Sequence, residues 1–473
     1  MFRFQFPYSE TQRINKIIQG GAVYNREMFI KNEINDFLGS SIRNNMLMGE
    51  KYYEGRHDIL MKKRTAIGEG GNIICLDNLP NSRIVDNRYK KLVDQKVNYL
   101  LGQPIAVRSD NKKYWRHIKK IFNSDFQRLM KNVGQDCMNC GIGWVYIYYD
   151  EKGRLTFRRF KPYEIIPGWA DSEHTRLDYV IRIYEVNVVS KDNNQEIQQR
   201  VEVYDRSGIY RYIYSGGYLT RAEDYYTGYF VAGGKGYNWL DIPIIAFKLN
   251  SKEIPLINGI KPLQDGLNLM LSAFQDNMQE DCRNTILILK NYDGENLGEF
   301  RKNLATYGAV KVRTVDGSQG GVEALSVEVN AENYKSVIEL FKKTIIENGN
   351  GFDNRDDRLF SSPNQLNIKS MYSDMELDAN SMELEFQCGI SKILDFVKAD
   401  LFNKGFGDYF DREAEIIFNR DILINESEVI DNCIKSRDIL SAETIVAQHP
   451  WVDDIYAEEQ KLKRGVINEA DDK

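Results

Sequence analysis

Residues 82–106, SRIVDNRYKKLVDQKVNYLLGQPIA, constrain the fold more than any other stretch of the chain. Apolar side chains at Val85, Tyr89, Leu92, Val93, Val97, Leu100 and Leu101 recur at helical spacing. They predict an amphipathic helix over 84–101 with one buried face. Arg83, Asp86, Arg88, Lys90, Lys91, Asp94 and Lys96 supply the wet face. Gly102 is placed to end the helix in a left-handed cap, and Pro104 forbids its continuation. By itself such a pattern describes a surface helix in any globular protein.

The chain has 473 residues, which predicts about two to four structural regions. The 63 basic and 69 acidic residues leave a net charge of −6. That balance argues against a surface that wraps phosphates, while allowing one that DNA slides past without sticking. Tyrosine, at 28 residues, suits strands and interfaces because its ring is apolar and its hydroxyl stays wet. No apolar run approaches the roughly 20 residues of a membrane span. MFRFQFPYSETQR lacks an apolar core followed by a cleavage site. With six scattered cysteines (75, 137, 140, 282, 388 and 433), this predicts a cytosolic setting with reduced thiols and no membrane partner.

Period and punctuation divide the rest. Residues 9–18 and 25–37 have loose helical spacing, and GEGGN at 68–72 reads as a loop. A further helix is expected near 113–140, with Trp115, Ile118, Ile121, Phe122, Phe126, Leu129 and Met130 in phase. IGWVYIYY (142–149) and RLTFRR (154–159) flank Asp150-Glu-Lys-Gly153 and read as a β-hairpin. Strand-like runs follow at 178–187, 200–205, 209–214 and 243–249, so roughly 140–250 is an antiparallel β region. Residues 262–283 return to helical period, with Pro262 suited to a first turn. A small mixed insert follows: strands at 284–290, 309–314 and 321–329 and a short helix at 296–306. Helices are expected at 331–348 and, after a polar segment at 350–367, at about 371–402. The last of these would span about 45–50 Å. The 422–473 tail reads as helical and acidic, broken at His449-Pro450.

This order, together with the wording Val-Asn-Tyr-Leu-Leu-Gly-Gln-Pro-Ile (97–105), resembles the portal proteins of tailed bacteriophages, of the type from long-tailed and contractile-tailed phages of Gram-positive hosts. FKPYEIIPGW (160–169) is similar to the family's Pro-x-Glu-x-x-Pro wing turn. NWLDIPIIAFKLN (238–250) is similar to the strand before its first stem helix, and SAETIVAQHPWVDDIYAEEQKLK (441–463) to its crown segment. FDNRDDRLFSSPNQLNIKS (352–370) keeps the Phe-Ser-Ser and Lys-Ser outline of the tunnel loop without its usual small-residue run.

The resemblance implies an α+β subunit: an α/β wing, a helical stem, a small α/β clip, a long kinked helix and a helical C-terminal crown. Wing is expected at 1–256, stem helices at 257–283 and 331–350, and the clip at 284–330. The tunnel loop falls at 351–370, the long wing helix at 371–410 and the crown at 411–473. It implies a ring, most often of twelve subunits, at one capsid vertex, without catalytic activity or cofactor. Double-stranded DNA would pass through it. Its partners would be the terminase large subunit, then a head–tail adaptor, with capsid and scaffolding proteins around it. The expected motor-docking residues in the clip are Asp293, Glu295, Glu299, Arg301 and Lys302. The expected channel and tunnel-loop residues are Lys342, Lys343, Asp353, Arg355, Asp356, Asp357 and Arg358.

Rival chemistries have weaker support. Cys137-Met-Asn-Cys140 is half of a zinc site, and no second pair or nearby His completes it; packing of two thiols in a core explains it better. Gly68-Glu-Gly-Gly71 lacks the Lys-Ser/Thr of a phosphate loop. Asp353, Asp356 and Asp357 offer carboxylates for a hard cation, so a DNA-processing enzyme with a metal site is one alternative. A non-portal structural ring of a phage-like particle is another. No Gly-x-Ser-x-Gly, HExxH or Cys–His pairing is present. The expected stem carries Asp265, Gln275, Asp276, Gln279, Glu280 and Asp281 opposite its apolar stripe on one helix. Lys335, Glu339, Lys342, Lys343 and Glu347 lie on the other. In a ring such faces would line a channel whose carboxylates repel phosphate, with occasional lysines giving transient contacts.

Overall fold

The helix expected over 84–101 begins at Arg88 and runs to Leu101 in the computed structural model. Tyr89, Leu92, Val93, Val97, Leu100 and Leu101 form its buried face as the spacing requires. Residues 82–87 are extended instead, because their N–H groups find acceptors on a distant helix, described below. Gly102 is not left-handed. Its N–H continues the helical pattern to the Asn98 carbonyl at 2.8 Å, and a Cβ there would lie 2.3 Å from that oxygen, so glycine serves close approach. The structure describes residues 25–67, 71–77, 79–189, 195–281, 285–290, 321–326, 331–353, 365–420, 426–452, 458 and 461–462. These fall into two compact units: residues up to 54 with 89–260 and 346 onward, and residues 55–88 with 261–345.

In the first unit, helices Arg26–Leu38 and Ser41–Tyr53 start at Asn25 and Ser40, whose side chains accept the N–H of Met28 and Arg43. Five antiparallel strands form a meander in the order Tyr218–Thr227, Gly208–Ser215, Gln195–Asp205, Leu177–Val189, Ile165–Trp169. Ile30 and Ile34 of the first helix close its core over Ile181, Ile183, Val201, Val203 and Tyr212. The segment read as a turn at 160–169 contributes the edge strand Ile165–Trp169, where Pro167 is tolerated because an edge has a side without a ladder.

A second sheet pairs Ile244–Lys248, Ile142–Tyr149 and Leu155–Phe160, so the expected hairpin forms with Trp144 opposite Phe160. The stretch 113–140 is two helices, Lys112–Ile121 and Ser124–Cys140. Asn123 breaks it, its side chain accepting the Phe126 N–H. Helix Ser124–Cys140 lies on this sheet and ends at Gly141 (φ 82°), where a Cβ would meet the Glu253 carbonyl oxygen at 2.0 Å.

The long helix is Gln365–Asn403, 39 residues and about 58 Å. It begins earlier than expected, so 365–370 of the expected tunnel loop is helical; no Gly or Pro lies between Pro363 and Gly389 to stop it. Phe386 meets Phe247 with centroids 5.0 Å apart, and Gly389 permits that approach. Glu415–Ile417 pairs antiparallel with Ala106–Arg108. Helices Glu426–Lys435 and Ala442–Gln448 follow, the latter ending at His449.

The second unit is built on helix Ile257–Asp281, whose first residues belong to the other unit. Pro262 sits inside this helix, not in its first turn. Burial of Ile257 and Ile260 holds the turn before it against the missing N–H. Helix Ala331–Asn348 packs against it antiparallel: Phe274 and Asn277 meet Tyr334, while Gly266 faces Phe341. Thr285–Lys290 pairs with Gly321–Ser326. The expected helix at 296–306 and strand at 309–314 lie outside the described residues. A further hairpin pairs Thr65–Ile67 with Ile73–Cys75. Residues 55–88, expected within a wing, thus pack with 261–345.

Candidate functional site

The most buried face of helix Ile257–Asp281 within the second unit is polar. Gln264, Asn268 and Ser272 are fully buried, and Asp276 is 5% exposed. Each accepts one backbone N–H from the extended segment beside it. Gln264 takes Arg88 (2.9 Å), Asn268 takes Asp86 (3.1 Å), Ser272 takes Ile84 (2.9 Å) and Asp276 takes Ser82 (2.6 Å). The periods match. Four helical residues advance about 6 Å, and two extended residues about 6.6 Å, so every fourth side chain meets every second N–H. The acceptors are themselves held: Gln264 donates to the Asp86 carbonyl (2.8 Å), and Asn268 lies 2.7 Å from His57 Nδ1. Buried backbone donors must find partners somewhere, and this ladder supplies them across the fold, which is why 82–87 is not helical.

The ladder changes the expected channel face. Asp276, expected among the solvent-facing carboxylates, is buried and bonded to Ser82 and Lys62. Burial pushes its carboxyl up, but the Lys62 ammonium and the Ser82 N–H outweigh that and hold it below the usual carboxylate range. Asp265 is neutralised by Lys261 at 2.7 Å, which also reaches Asp58 at 2.6 Å. Gln275 and Gln279 are exposed as expected. The signal for the ladder was present in the spacing of Gln264, Asn268, Ser272 and Asp276, a polar row at strict fourth positions.

On helix Ala331–Asn348, Lys342 pairs with Glu339 at 2.8 Å, and Lys343 is exposed. Both lie in the second unit, whereas Asp353 belongs to the first and is half-buried. Arg355, Asp356, Asp357 and Arg358 lie outside the described residues, as do Asp293, Glu295, Glu299, Arg301 and Lys302.

The chain entering that segment is anchored in the first unit. Gln95 clasps the Phe352 backbone from both sides, donating to its carbonyl (2.8 Å) and accepting its N–H (3.0 Å). Phe352 stacks on Tyr372 at 4.5 Å, and Tyr372 on Tyr99 at 5.6 Å. Tyr99 also bonds Glu376. Arg420 reaches Glu383 at 2.5 Å and Asn380 at 2.7 Å. Lys96, read as part of a wet face, is 4% exposed and pairs with Asp378 at 2.5 Å. Its neighbours Leu92, Val93, Val97 and Leu100 explain the burial: the apolar stripe is wide enough to take Lys96 with it. Sequence reasoning missed this pair, as it missed Gln95.

Cys137 and Cys140 are packed in the core; burial pushes both thiols up, which leaves them inert. Among the described residues no cluster of His, Cys, Asp or Glu could hold a metal ion. Among them, too, no helix is long and apolar enough to cross a membrane.

Comparison with known proteins agrees with this architecture. The family model for the phage portal protein, SPP1 Gp6-like, matches residues 40–471. The chain is 27% identical over 417 residues to the portal protein of Bacillus phage SPP1, covering 86% of this chain and 81% of that protein. It is 28% identical over 451 residues to the portal protein of Clostridium phage phiCD119, covering 90% and 95%. A match across nearly the whole chain, on an α+β scaffold with two antiparallel helices flanking a strand pair and one long helix after them, makes this chain a member of the SPP1 Gp6-like phage portal family.

Proposed function

We propose that the chain assembles into a closed ring, most often of twelve subunits, at one capsid vertex. Double-stranded DNA passes through this ring during packaging and ejection. The protein has a structural role and no catalytic step of its own. It docks the terminase large subunit first and head–tail adaptor proteins afterwards, with capsid and scaffolding proteins around it. It assembles in the host cytoplasm and ends in the virion. The observation that carries the reading is the family match over 40–471.

In this reading 257–283 and 331–350 are the stem and 284–330 the clip. Residues 351–370 are the tunnel loop, its last residues 365–370 opening helix Gln365–Asn403; 371–410 are the long wing segment, and 411–473 are the crown. The wing is 1–256. Asp293, Glu295, Glu299, Arg301 and Lys302 present charge to the motor. Lys342, Lys343, Asp353, Arg355, Asp356, Asp357 and Arg358 meet passing DNA. A net charge of −6 suits passage, because strong basic rings would bind each phosphate and release its counterions.

Negative-stain microscopy with native mass spectrometry tests the ring: closed particles with an axial opening are expected, and only monomers or twofold dimers at micromolar concentration would remove the reading. Reversing charge at Arg301 and Lys302 should weaken motor recruitment while rings still form. Replacing Arg355 and Arg358 by Ala should leave rings intact and impair packaging or DNA retention.

A further inference from the structure

We propose that the hairpin Thr65–Ile67/Ile73–Cys75 is an assembly arm, both faces of which are covered by a second copy of this chain. The inference rests on the ring reading and names one contact within it.

The register places Ile67 opposite Ile73 and Thr65 opposite Cys75 on one face, with Ala66 opposite Ile74 on the other. All six are exposed, Ile67 at 82%, Ile73 at 77% and Ile74 at 50%. Met61, four residues before the first strand, is also exposed, at 76%. A two-stranded ribbon of three-residue strands has no core and is marginal in water. Isoleucine on both faces is therefore costly for a chain that stays alone.

The base, in contrast, is firmly held. Leu76 N–H donates to the Arg64 carbonyl (2.9 Å), and Arg64 reaches the Pro80 carbonyl (2.9 Å). Asn81 donates to the Lys62 carbonyl (3.2 Å), while Lys62 is tied to buried Asp276. The base of the ribbon is thus tied to the end of the polar ladder, which lowers part of the ordering cost of docking it.

Size and placement select the occupant. The apolar surface amounts to a few hundred Å2, in the range where exposed patches mark contact sites. It falls short of the about 800 Å2 per partner that a stable complex buries, so its occupant must also cover other surfaces of this unit. A second copy brings additional area. Helix Ile257–Asp281 is covered by the extended segment on one side and by helix Ala331–Asn348 on the opposite side. On its remaining flanks Leu269 is 51% and Met278 44% exposed, with Leu340 of the partner helix at 62%. Arm and helix flank are different surfaces of one unit, so their contact between copies is heterologous, the type that closes into rings.

The test compares the full-length wild type with an Ile67→Asp/Ile73→Asp double variant by analytical ultracentrifugation across a dilution series. It also follows maleimide modification of Cys75 by peptide mass mapping. The expected result is a variant with wild-type circular dichroism whose rings dissociate at concentrations at least tenfold higher. Cys75 should be protected at least tenfold in wild-type rings relative to the same protein diluted to its monomer. Wild-type rings in which Cys75 reacts at the monomer rate overturn the arm and leave the ring reading intact, as does a folded variant that forms rings of unchanged stability. A wild type that forms no rings removes both. If the variant fails to fold, Cys75 protection in the wild type decides.

Discussion

Asp276 uses both carboxylate oxygens across the fold: Oδ1 accepts the Ser82 N–H at 2.6 Å and Oδ2 the Lys62 ammonium at 2.8 Å. It is the last rung of the ladder and fixes where the extended segment begins. Asp276→Ala should destabilise the second unit by about 2 kcal/mol, since a buried N–H and a partly buried ammonium lose their acceptor together. The carboxyl is held below its usual range, so its contribution is present above about pH 4 and is lost as pH falls through the folded value. Thermal melts from pH 7 to pH 2 should show a steeper acid decline for the wild type than for Asp276→Asn. Superimposable profiles would contradict the assignment.

The ladder's interior should be less forgiving than its exposed neighbours. Asn268→Leu keeps approximate size but strands the Asp86 N–H and removes the contact with His57. A loss of about 2–3 kcal/mol is expected. Gln275→Ala, on the exposed side of the same helix, should change stability by less than about 0.5 kcal/mol. Hydrogen exchange at Ile84, Asp86 and Arg88 should accelerate in the first variant only.

Much of the architecture was legible because burial and period agree. Helix Ala331–Asn348 was expected over the same residues, since Ile338 and Ile345 recur on the face that packs. The hairpin at 142–160 was visible in alternation bounded by Asp150-Glu-Lys-Gly153. What failed was local reading of groups satisfied at a distance. Val85 lies in phase with a helix, yet its neighbours' N–H groups bond to residues roughly 190 positions away. Lys96 looks wet by type, and is buried because its carboxylate partner arrives from residue 378. Of the expected DNA-facing and docking residues, Lys342, Lys343 and Asp353 fall within the described residues.

The Lys96–Asp378 pair makes an asymmetric prediction. Burial lowers the proton affinity of Lys96, and Asp378 opposes that without cancelling it. Between the folded value and about 10.5 the unfolded chain binds more protons, so this pair makes stability rise with pH just below pH 10.5. Lys96→Met should remove that rise and change stability at pH 7 by no more than about 1 kcal/mol. Asp378→Ala, which leaves the buried ammonium without its anion, should cost about 3 kcal/mol. Equal losses from the two variants would show that the pair is not desolvated.

Asp136 carries the opposite sign. It is 1% exposed, and burial raises its carboxyl to about 7 although Arg159 lies 3.4 Å away and Lys161 also favours the charge. The folded state therefore binds the proton more tightly than the unfolded chain, whose Asp titrates near 3.9. Stability from this residue is full below that value and declines as pH rises towards 7, above which the decline is complete. Asp136→Asn mimics the protonated form and should remove the decline. The variant should melt higher than wild type at pH 8, with the gap closing towards pH 5. Glu50, Cys137 and Cys140 surround the same core, so the comparison should be made under reducing conditions. A variant that melts lower than wild type at pH 8 would mean that the Asp136 charge, held by Arg159, supports the core instead of straining it.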